Sequence, residues 1–247
     1  YCDFLHIKKA IREGKKQIRR CIINMGYYML FQDISLSRQM NYLMPTVYGP
    51  LFDDMHHYVA ESSIDFLEKI EYEHSVYSED LIRKICQEWS NGAFIEQGSY
   101  YGKLLTREQN NILSIHGVMW PKKDNEEKNQ YALKRAADHN KLRKHELSRL
   151  ENDKIVRDMV EFLEKHEIRP IFVIFPFTQW YRKYIDSFYK KDIFELLNSL
   201  PQQVELLDMN EIDGFNDEDF LDTDHLSLRG AEKATRLLVE FIKIEQM

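Results

Sequence analysis

Pro170-Ile171-Phe172-Val173-Ile174-Phe175-Pro176 decides the fold. Five β-prone apolar residues between two prolines describe a central parallel strand covered on both faces. At its carboxyl end follows Phe177-Thr178-Gln179-Trp180-Tyr181, an aromatic stretch that reads either as core or as the lining of a cleft. A helix over 184–200 then returns the chain to Gln203–Asp208, a short buried strand that right-handed connections place beside the first. Residues 231–244 carry Ala234, Leu237, Leu238 and Phe241 at helical spacing.

Upstream, 131–165 reads as a long helical region broken near Leu150-Glu151-Asn152, with Ile155, Val156, Met159, Val160, Phe162 and Leu163 as the apolar face of its second part. Earlier still, Cys21-Ile22-Ile23-Asn24-Met25, between Arg19-Arg20 and Gly26, reads as another buried parallel strand. Residues 1–13 form an amphipathic helix closed by Gly14. This alternation of strands and helices predicts an α/β fold with a parallel sheet. The expected organisation is one domain over 1–247, N-terminally truncated, with a helical and loop insertion at 40–130.

The 247 residues are 43% hydrophobic and 13% aromatic, enough to bury a substantial core. A formal charge of −7, with basic stretches interleaved with acids, argues against nucleic acid or an anionic membrane as the main partner. No run of eighteen apolar residues predicts a membrane span. Three cysteines, Cys2, Cys21 and Cys86, without CxxC spacing and with no visible signal peptide, favour a cytoplasmic setting. The chain starts at Tyr1 rather than Met, which leaves association with a cell envelope open.

The chemistry-bearing stretch is Asp222-Thr223-Asp224-His225-Leu226-Ser227, followed by Gly230-Ala231. A carboxylate and an imidazole three residues apart on a turn can hydrogen-bond, fixing the ring tautomer and stabilising its charged form. That is the base half of a hydrolytic triad. The same spacing also fits a helix cap built by Ser227, with His225 an ordinary surface residue. Lying between the last strand and the last helix, the turn occupies the kind of loop where open α/β sheets bind ligands.

This block resembles the last motif of the SGNH (GDSL-like) hydrolase superfamily. Within it, the similarity is to the branch holding the D-alanine transfer protein of teichoic acid esterification and related bacterial surface-polysaccharide proteins. It runs from about Asn140 to the end, with a weaker match over 21–37. The resemblance implies a three-layer, flavodoxin-like sheet and a serine esterase or O-acyltransferase acting on acylated carbohydrate or cell-envelope polymer. It casts Asp222 and His225 as triad members, without cofactor or metal. It also places an oxyanion donor near Gly26, with Asn24 the nearby amide, although a tight turn explains the glycine equally.

The family's Gly-Asp-Ser-like nucleophile turn is not found ahead of Cys21, where there is no serine. Whether the chain is an enzyme therefore depends on a segment that supplies one. The alternative is a non-catalytic protein on the same fold that binds a glycan or a partner. Ser35 and Ser37 read as caps or turns. Ser99, between Gly98 and Gly102, resembles a nucleophile turn superficially. His56-His57 beside Asp53-Asp54 lack a third ligand at useful spacing and read as a surface cluster. His139-Asn140 and Glu151-Asn152 match family positions, but nothing physical in the sequence separates them from ordinary helix residues.

Overall fold

A computed structural model describes residues 1–14, 18–36 and 120–244. Ser37, Ser99, the 53–57 cluster, Cys86 and most of the 40–130 insertion lie outside the described residues; the side chains of Ser35 and Ile244 do as well. The chain divides into two compact units, one of 1–16 with 33–111 and the other of 17–32 with 112–247. In the first, helix α1 (Cys2–Arg12) buries Phe4 and Leu5, and Gly14 follows it at φ 64°, the left-handed conformation that glycine adopts without strain.

The second unit holds a parallel sheet of β1 (Arg20–Asn24), β2 (Arg169–Ile174) and β3 (Glu205–Asp208), in the order β1-β2-β3. Arg20 pairs with Arg169 and Asn24 with Val173, while Ile171 pairs with Glu205 and Ile174 with Asp208. The Pro-bracketed run is the central strand, as its composition predicts. Ile171, Phe172, Val173 and Ile174 are fully buried, so both faces are covered, and each such side chain contributes about 1.5–3 kcal/mol by leaving water.

The helices are α2 (Asn125–Asn140), α3 (Glu146–Lys165), the single turn α4 (Gln179–Arg182), α5 (Ser187–Asn198) and α6 (Leu228–Ile244). On one face of the sheet, Ile171, Val173, Leu207 and Met209 form a core with Ala234, against which Leu237, Leu238, Phe241 and Ile242 of α6 pack. Helix α3 lies along β2 and buries Val156, Met159, Val160 and Leu163. No described helix is long and apolar enough to cross a membrane.

Two expectations need correction. The sequence predicts β1 as a buried strand, yet among the described strands it pairs only with β2; Ile22 is 48% exposed and Asn24 also faces solvent. The helical region breaks at Lys141–His145 rather than near Leu150. There the Tyr189 hydroxyl donates to the carbonyls of His139 and Asn140, and the Asn140 side chain bonds Tyr184 O and Asp186 N–H. These tertiary bonds accompany a tightening of the chain into a 3-10 turn, where neither glycine nor proline marks a stop.

Candidate functional site

Because the strands are parallel, the segments following all three gather at one edge of the sheet. Buried polar side chains tie them together. Tyr27, after β1, donates to Asp208 Oδ2 at the end of β3 (2.8 Å). Asn210 accepts from Phe177 N–H (2.8 Å) and donates to Phe175 O and Asp208 Oδ1, joining the segments that follow β2 and β3. Thr178 caps α4 and gives both its N–H and its hydroxyl to Thr223 O (3.1 and 2.9 Å). The turn carrying Asp222 and His225 is thereby fastened to the carboxyl end of the central strand.

The turn is closed internally as well. Leu221 N–H donates to His225 O, Phe220 and Leu226 form an antiparallel bridge, and Asp222 Oδ1 accepts from the backbone N–H groups of Asp224 and His225 (2.9 and 2.8 Å). His225 Nδ1 lies 2.8 Å from Asp222 Oδ2 and 3.0 Å from Oδ1. The imidazole side chain is 54% exposed and the carboxylate 15%, and no described group bonds Nε2. The hydrogen bond with Asp222 holds His225 above its ordinary value against the effect of burial. Burial pushes Asp222 the other way, but bonds from His225 and the turn backbone keep the carboxyl below its ordinary value.

Ser227 fills the capping role that the sequence also allows. Its hydroxyl accepts from Gly230 N–H and donates to Glu218 O. Cap and dyad thus coexist in one segment. Gly26 and Asn24 lie at the end of β1, where Gly26 N–H donates to Met29 Sδ (3.0 Å), a weak acceptor, and Asn24 is exposed; no hydrogen bond joins either to the dyad.

Arg135 and Tyr28 escape sequence reasoning, and Asp224 and His139 carry no role in it. Arg135 of α2 forks onto Asp224, with Nε 3.0 and 3.1 Å from the two oxygens and Nη2 2.9 Å from Oδ2. Burial works against its charge, and the bond and charge of Asp224 more than restore it. His139 is buried, stacked on Tyr28 at 3.8 Å between centroids, with Nδ1 2.6 Å from the Tyr181 hydroxyl. Burial, reinforced by the Arg135 charge, pushes His139 down to about 4, so it is neutral near pH 7. Tyr181 is fully buried, which resolves its half of the aromatic stretch as core.

Asp222, Asp224 and His225 each bring a ligand-type atom within 4.8 Å of the others. Arg135 and Thr223 already engage both oxygens of Asp224, so the charge of Asp224 is balanced from within the protein. Beside the turn, a pocket of about 250 Å³ is lined by Phe177, Thr178, Arg182, Asn210, Phe215 and Phe220, among others. Its wall is mainly polar, with Phe177, Phe215 and Phe220 as apolar inserts.

A family model without an assigned function matches residues 118–246, more than half of the chain. The chain belongs to that family. The family's stretch takes in β2, β3, helices α2 to α6 and the whole Asp222–His225 turn, and starts downstream of β1. No curated protein and no solved structure matches the chain.

Proposed function

We propose that this family member carries the acid–base half of a serine esterase or O-acyltransferase of the SGNH type, acting on acylated carbohydrate or cell-envelope polymer. One observation carries the reading: Asp222 holds His225 by Nδ1 while no described group bonds Nε2, on a half-exposed ring at the carboxyl edge of a parallel sheet. In that geometry Nε2 takes the proton of a serine hydroxyl as it attacks an acyl carbon, and Asp222 stabilises the imidazolium formed. The same proton then passes to the departing alkoxide. A backbone N–H near Gly26 is the proposed oxyanion donor.

The second reading, a glycan- or partner-binding protein on the same architecture, is favoured by one fact: no described serine hydroxyl bonds His225. Labelling the protein from its natural source with a fluorophosphonate separates the two. Labelling that is lost in His225→Ala and rises with pH through the raised His225 value supports the enzyme, since only the neutral ring accepts a proton. A protein that never labels moves the assignment to binding.

A further inference from the structure

The dyad turn contains two carboxylates, and their relation to the imidazole is unequal. Asp222 Oδ2 is 2.8 Å from His225 Nδ1, and Asp224 Oδ1 is 4.0 Å from the same nitrogen. The Asp224 side chain is only 2% exposed, so a charge left unpaired there is costly and turns to the nearest donor. Arg135 prevents this from a position 89 residues upstream, on α2, and the Thr223 hydroxyl adds a bond to Asp224 Oδ1 at 2.7 Å.

We propose that Arg135 is a positioning residue for His225: by taking up both oxygens of Asp224, it leaves Asp222 as the one carboxylate partner of the imidazole Nδ1. The inference rests on the acid–base reading of the dyad. His225 faces Asp222 and Asp224 from its own turn and Arg135 and His139 from α2, while the Tyr28 phenol bears on the same two carboxylates. With His139 neutral, Arg135 is the cation of this set among the described residues. Its loss puts two anions around one imidazole, which then keeps its proton and is withdrawn as a base at neutral pH. Lysine restores the charge without the two-pronged grip, so it is a partial substitute.

The test is a pH titration of the His225 ring by NMR in the full chain, assigned with His225→Gln. Arg135→Gln is expected to raise the midpoint by about one pH unit, Arg135→Lys by less, and Arg135→Gln with Asp224→Asn to bring it back toward the wild-type value. A folded Arg135→Gln protein with an unmoved midpoint overturns the proposal. Should that variant not fold, Asp224→Asn decides alone: it is expected to lower the midpoint, and an unchanged one overturns the proposal. Hydrolysis of an aryl acetate by the same proteins keeps the two ideas apart. An inactive protein whose midpoint still follows Arg135 retains the positioning role and loses the hydrolase; an active one whose midpoint ignores Arg135 does the reverse.

Discussion

Asp222 serves the turn and the imidazole with the same carboxylate: Oδ1 accepts from the backbone and lies 3.0 Å from Nδ1, and Oδ2 lies 2.8 Å from Nδ1. Asparagine keeps the backbone bonds through Oδ1 but loses the negative charge and the closer acceptor, Oδ2, because its NH2 group cannot accept from Nδ1–H. Asp222→Asn is therefore expected to stay folded, with a lower His225 midpoint by NMR and a fluorophosphonate labelling rate down by about 10³–10⁴-fold, the scale on which a triad aspartate acts. Eight residues on, Gly230 shows the opposite case, a residue with no chemistry and little freedom. A methyl group there would collide with the Asp219 carbonyl oxygen, which accepts from Ser227 N–H, so α6 starts against the turn with no room for a side chain. Gly230→Ala is expected to cost about 2–3 kcal/mol in urea unfolding, through forced displacement of that contact.

At the scale of elements, α2 is the strut of the site. Its N-terminus is fixed by an Asp124–Glu127 capping box, Lys128 reaches Asp217 at 2.8 Å, Arg135 holds Asp224, and His139 lies between Tyr28 and Tyr181. The His139 contribution has a definite sign. Its folded value of about 4 lies below the ordinary 6.5, so between those limits the unfolded chain binds more protons, and stability falls as pH is lowered from 6.5 toward 4. The full loss is on the order of 3 kcal/mol. His139→Gln is expected to be less stable at pH 7 yet to lose this slope, as urea midpoints at pH 7 and pH 4.5 will show. The same helix explains what was legible in the sequence. The β2 run, the apolar stripe of α6 and the Asp-x-x-His spacing are local patterns, and they appear in the structure where their periods place them. Arg135 with Asp224, or Tyr189 with the end of α2, are pairings across 89 and about 50 residues. No local pattern reports them, so Arg135 and His139 look like ordinary helix residues and the helix break is displaced by several positions. Asn152 is alike: its amide donates to Leu30 O and Gln32 O, bonds that only the folded chain brings within reach.

Across the whole molecule, the second unit is assembled from two separated stretches, 17–32 and 112–247. The shorter supplies β1, the buried Leu30 and Phe31, and the Tyr27 and Tyr28 side chains that bind Asp208 and stack on His139. A fragment of 112–247 would leave an edge of β2 unpaired and those aromatic contacts empty, and an unpaired hydrophobic strand edge invites association. Such a fragment is expected to elute as aggregate and to show little cooperative unfolding, and a synthetic 17–32 peptide added in excess is expected to restore a monomer with a sharp transition. Gel filtration and circular dichroism with and without the peptide provide the check.

The register of β1 on β2 also sets a clock for synthesis. Arg20 pairs with Arg169, so the first strand leaves the ribosome roughly 150 residues before its partner exists. At about 5–20 residues per second that is a wait on the order of 7–30 s. Throughout it, Ile22 and Ile23 lack β2, the one described strand that pairs with them. Over that interval the nascent chain carries an apolar β segment ahead of the strand that covers it.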